Sequence, residues 1–95
     1  LLADHARWME WNNLPMSCEP EITKVFVSEM EQSMVDSMMQ VLDQFCQLKE
    51  GSKWAPFKGR MEWEFLHSFM TTIGAGTSEV GRTVIAQRGL GLPRG

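Results

Sequence analysis

Between Glu19 and Leu48 apolar side chains recur at steps of three and four: Ile22, Phe26, Met30, Met34, Met38, Val41, Leu42 and Phe45. That spacing puts them on one face of an α-helix and does not fit the alternation of a strand. Val25, Val35 and Met39 add a second line, which predicts a helix buried on more than one side. Pro20 suits a first helical position, where its missing N–H costs nothing. Glu19 and Glu21 place negative charge at the positive end of the helix dipole. The helix is predicted to run to about Leu48, ahead of the polar segment Lys49-Glu50-Gly51-Ser52-Lys53.

Three shorter helices are predicted around it. Residues 1–13 carry Leu2, Ala6, Met9 and Trp8 toward one face and stop at Asn12-Asn13 and Pro15. Pro56 and Gly59 make residues 54–59 a loop. A third helix starts near Arg60 with Met61, Phe65, Phe69 and Ile73 along one side, Leu66 and Met70 beside them, and is interrupted by Gly74-Ala75-Gly76. Thr77 or Ser78 then caps a fourth helix with Glu79 in its first turn. Val80, Val84 and Ile85 face inward there, and Arg88 followed by Gly89 closes it. No strand, internal repeat or low-complexity tract is visible. The expected fold is all-α, an antiparallel helical bundle in one domain over residues 1–95. The start at Leu1, without Met and in mid-pattern, leads us to expect missing upstream sequence.

Composition narrows the function. Acidic residues number 12 against 9 basic ones, a net charge of -3 that argues against nucleic acid as the main partner. No signal peptide opens the chain, and no apolar run approaches the roughly 18 residues of a membrane span. Cys18 and Cys46 are too few for a disulfide scaffold and lack metal-ligand spacing, so a reducing, cytoplasmic compartment is expected. The 8 Met and 4 Trp, with no Tyr, allow two readings. They make a helix-favouring core, or they line a pocket for a long apolar ligand. His5 and His67 have no partner ligand at metal spacing, and Glu62 and Glu64 do not share a helix face. No metal site is expected. Trp54, Phe57 and Trp63 either line a ligand entrance or pack on the second helix.

The most informative segment is Gly74-Ala75-Gly76-Thr77-Ser78-Glu79, followed by Arg82, Ile85-Ala86, Arg88 and Leu90-Gly91-Leu92-Pro93-Arg94. Physically, a glycine turn feeds exposed N–H groups at a helix start, with two hydroxyls beside them. It is either an end that attracts acceptor groups or a plain helix–turn–helix corner. The segment resembles the closing motif of the acyl-CoA dehydrogenases, especially a bacterial branch with a Gly-Thr-Ser-Glu-Ile-Gln-Arg run and a Leu-Gly-Leu-Pro-Arg tail. Val80 stands in place of Ile, and Gly81 where Gln is usual. The resemblance extends over the whole chain and weakens before Arg60. It implies the family's C-terminal four-helix bundle, of which this chain would be part.

The same resemblance implies a reaction. A carboxylate removes the α proton of an acyl-CoA thioester while the β hydrogen leaves as hydride to FAD, and electrons pass on to an electron-transfer flavoprotein. It places Thr77, Ser78 and Glu79 at FAD and Ala75 and Gly76 against the substrate. Gln40 falls where the family offers a Gln to the FAD of a neighbouring subunit, though Asp43, Gln44, Phe45 and Cys46 replace the glycine-rich continuation found there. Solvated helix surface is the other reading of Gln40. Ala75 occupies the position of the common catalytic Glu and accepts no proton. The base then sits on an earlier helix of the same protein, or this chain is a catalytically silent subunit of a heteromer. Homo- or hetero-oligomers are implied either way. A helical interaction module docking through its Met-rich faces is the reading left if the motif match is accidental.

Overall fold

The structure, a computed structural model, describes residues 1–94 and is helical throughout, with no strand among them. Helix α1 spans Leu2–Trp11, α2 Glu19–Leu42, α3 Arg60–Ile73 and α4 Ser78–Val84. Shorter turns complete it: a 3-10 turn at Asp43–Gln47, a tight turn at Pro56–Gly59 and a π-type turn at Ile85–Gly89. The chain forms two compact units. One is Leu1–Val27 with the stretch from Ala75 onward, the other Ser28–Gly74, and α2 runs through both.

In the first unit, the start of α2 and the closing segment run antiparallel. Ser17 Oγ donates to the Arg88 carbonyl at 3.2 Å, and farther along Lys24 Nζ donates to the Gly76 carbonyl at 2.6 Å. Two glycines allow the approach. A Cβ at Gly89 would lie 2.7 Å from Cys18 Sγ, and one at Gly81 would lie 2.7 Å from a methyl of Val25. Both distances are shorter than ordinary carbon contacts, so a larger residue at either place would have to push the Cys18 or Val25 side chain aside. Gly81, the departure from the family pattern, is therefore a packing residue.

The second unit has a small core of Val35, Cys46 and Met61, with Met39, Leu42 and Phe65 against it. Helix α2 does not reach Leu48 as predicted. It ends at Leu42, because Asp43 turns into the left-handed region (φ 49) and the 3-10 turn carries Cys46 inward to 3% exposure. Asp is among the residues that tolerate this conformation. It falls in the stretch where the resemblance leads one to expect glycine. Gly59 is left-handed too, and a Cβ there would collide with the backbone of Lys49 and Glu50.

Burial along α2 corrects the predicted face. The second line holds: Val35 is 8% exposed and Met39 half-buried. Of the main stripe, Ile22 and Leu42 are half-buried, Leu42 against the core, whereas Phe26 is 56% and Val41 84% exposed, and Met30, Met34, Met38 and Phe45 are exposed as well. Among the described residues, the Val35 side of that part of α2 packs on the apolar core. Leu66, Phe69, Met70 and Ile73 of α3 are likewise exposed, as is Val80 of α4. Of the aromatic residues, Phe57 lies beside Met38, Val41 and Leu42, while Trp63 stacks on His67 at 4.6 Å.

The seam makes a direct prediction. Gly81→Ala in the full-length protein should lower stability by about 1–3 kcal/mol through overpacking. Adding Val25→Ala should recover part of that loss in a chemical-denaturation double-mutant cycle. Strictly additive losses would show that the Val25 contact is not what the glycine serves.

Candidate functional site

The end of α3 and the start of α4 are joined by three residues that a helix cannot include. Gly74 leaves the helix at φ -59, ψ 142 after donating to the Met70 carbonyl at 2.7 Å. Ala75 (φ 57) and Gly76 (φ 99) are then both left-handed. For Gly76 this is free of steric cost, whereas for Ala75 it costs about 1–2 kcal/mol. Thr77 returns to extended backbone and caps α4, its Oγ accepting from the Val80 N–H at 3.2 Å and its carbonyl from the Gly81 N–H at 2.9 Å.

Beside this turn lies a cleft of about 250 Å³ lined by Pro20, Glu21, Lys24, Ala75, Gly76, Thr77, Val80, Gly81 and Val84. Val80 and Val84 give it apolar lining, and Glu21 and Lys24 add one charge of each sign. Nothing lies within 4 Å of where a Gly76 Cβ would stand, so the backbone there is bare. Lys24 and Glu21 come from α2 and have no local motif to announce them. Only the antiparallel seam brings them here, and sequence reasoning missed both.

The consecutive residues Ala75, Gly76, Thr77, Ser78 and Glu79 stand in different states. Ala75, Gly76 and Thr77 line the cleft. Ser78 faces inward at 5% exposure, and its hydroxyl is buried without a hydrogen-bond partner, as is that of Thr23. Glu79 is exposed. Its carboxyl is held below the ordinary 4.5 by its own backbone N–H and by the Thr77 hydroxyl, with Arg82 and Lys24 assisting against a small desolvation cost. Gln40 belongs to the other unit and is exposed, its amide donating to Asp36 at 2.9 Å. Among the described residues no group of His, Cys, Asp and Glu is placed to hold a metal ion. His5 and His67 stack instead on Trp8 and Trp63. No helix of the described residues is long and apolar enough to cross a membrane.

Comparison with known proteins follows this geometry. A model of the acyl-CoA dehydrogenase C-terminal domain matches residues 1–90. The chain belongs to the acyl-CoA dehydrogenase family. It is 34% identical over 80 residues to acyl-CoA dehydrogenase FadE26 of Mycobacterium tuberculosis, covering 84% of this chain and 20% of that protein. A chain in the crystal structure of the ChsE4-ChsE5 complex from Mycobacterium tuberculosis matches with a TM-score of 0.78 and 29% identity, over 99% of this chain and 26% of that one. The chain thus spans about a fifth of the curated relative and a quarter of the solved chain. Its all-helical fold is that of the family's C-terminal domain, as the closing motif implied.

Two consequences can be measured. Thr77→Ala removes the cap of α4 and should cost about 1 kcal/mol in denaturant unfolding. Because the folded-state pKa of Glu79 is depressed, its contribution is present above about pH 4.5 and lost as pH falls through the lower folded value. Glu79→Gln should therefore flatten the acid side of the stability–pH curve, while leaving the neutral side unchanged in slope.

Proposed function

We propose that this chain is the C-terminal part of an FAD-dependent acyl-CoA dehydrogenase. In this reading Ala75, Gly76, Thr77, Ser78 and Glu79 form one wall of the pocket where an acyl-CoA thioester meets the flavin. The supporting observation is the cleft wall at Ala75, Gly76 and Thr77, where the left-handed Gly76, which has no side chain, faces open space beside the apolar Val80 and Val84. Such a wall fits a flat or extended ligand at close range. The orphaned Ser78 hydroxyl beside it also fits a site completed by further groups.

When bound, FAD supplies the hydride acceptor for an α,β-dehydrogenation, and an electron-transfer flavoprotein takes the electrons onward. This chain's residues supply shape and polarity. Gly76 lets the substrate approach backbone, and Thr77 holds the start of α4 in place. Glu79 keeps an exposed carboxylate charged in the first turn of α4, and Gln40 is a further contact to the FAD of a neighbouring subunit. Ala75 offers no proton acceptor, so the base comes from outside residues 75–79. The two free cysteines suit a reducing cytoplasm.

A second reading is favoured by Ala75, by the loss of glycines at residues 43–46, and by likeness to a chain crystallised in a two-protein complex. On it, this chain is the silent subunit of a heteromeric dehydrogenase, and a sister chain carries the base.

The full-length protein, purified with the chains that assemble with it, should release FAD on denaturation and reduce an artificial acceptor when given acyl-CoA. Gly76→Ala should lower kcat/KM on the order of ten- to a hundredfold by intruding on the wall. A correctly assembled preparation that contains no flavin and binds none sinks the first reading. Turnover by the unmodified homomer removes the second, whereas an Ala75→Glu homomer that stays inactive without a sister chain supports it.

A further inference from the structure

Successive left-handed residues persist only where their surroundings over-determine them. The Ala75-Gly76 pair has little help from its own side chains, since Gly74, Ala75 and Gly76 are all exposed and the Gly76 face is open. A side chain far away in sequence reaches it. Lys24 Nζ donates to the Gly76 carbonyl at 2.6 Å, a charge-assisted bond across 52 positions. That carbonyl belongs to the peptide joining Gly76 to Thr77, so holding it fixes ψ of Gly76 and φ of the capping residue together. Val25, the neighbour of Lys24, is the residue on which Gly81 sits. The register that seats α4 on α2 therefore also sets the reach of Lys24. Lys24 is half-buried, lines the cleft, and its charge is felt by Glu79.

We propose that Lys24 is a positioning residue: by holding the Gly76 carbonyl it locks the Ala75-Gly76 pair and so shapes the wall of the cleft. What the wall does for a ligand rests on the flavin and acyl-thioester reading above; the tether does not. Lys24 acts through the turn and takes no part in bond making.

The test uses the full-length, assembled protein carrying Lys24→Met, which keeps the stem and removes the donor, with Lys24→Arg as the conservative variant. Hydrogen–deuterium exchange over residues 74–80 is read beside the flavin absorption spectrum and the KM and kcat for an acyl-CoA. We expect exchange of the 76–80 amides to rise about tenfold in Lys24→Met while α3 stays as protected as before. The acyl-CoA KM should rise more than kcat falls, the flavin spectrum should shift, and Lys24→Arg should restore much of each. Unchanged exchange in the turn overturns the proposal, as does a uniform rise across α3 and α4, which marks general destabilisation. Should Lys24→Met fail to assemble, Lys24→Gln makes the same comparison with a neutral head. A wild-type preparation without flavin sinks the functional reading alone, and the tether is then judged by exchange.

Discussion

Gly81 against Val25 is the contact on which the site depends. A methyl of Val25 occupies the space that a Cβ on Gly81 would need. Gly89 against Cys18 repeats the condition one end further along. With both ends of the seam fixed, the register between α2 and the closing segment is set, and the residues of α2 that face the glycine turn are no longer free to vary. Pro20, Glu21 and Lys24 meet Ala75, Gly76 and Thr77 for this reason.

The strained positions mark where the chain changes direction. Asp43 ends α2 in a left-handed conformation, and Ala75 does the same between α3 and α4. In each case a residue with a side chain occupies a conformation that glycine adopts without cost. At Asp43 the chain bends in a strained conformation, with Cys46 drawn into the core beyond the bend. Ala75 lines the cleft and carries no group that can accept a proton.

The exposed Met30, Met34 and Met38, with Phe26 and Val41, make physical sense for a chain that covers about a fifth of its curated relative. An apolar stripe at helical spacing says that a face is meant for burial; it does not say that the covering groups lie in the same stretch of sequence. The Val35 line is buried because Met61 and Cys46 come from the same unit.

The sequence by itself determined the helices, the cap at Thr77, the glycine turn and the family, because each rests on local preference or a contiguous motif. Periodicity specified which faces are apolar, and the Gly-Thr-Ser-Glu run placed residues 75–79 together since they are neighbours in the chain. Only the tertiary structure decided that α2 stops at Leu42, that Ser78 turns its hydroxyl inward, and that Gly81 is a packing glycine. It alone showed that Lys24 holds Gly76. Those outcomes depend on contacts between residues 50 or more positions apart, or on the competition between one more helical turn and the burial of Cys46. Neither leaves a mark in local sequence, because the energy that decides them arises only when the two segments meet.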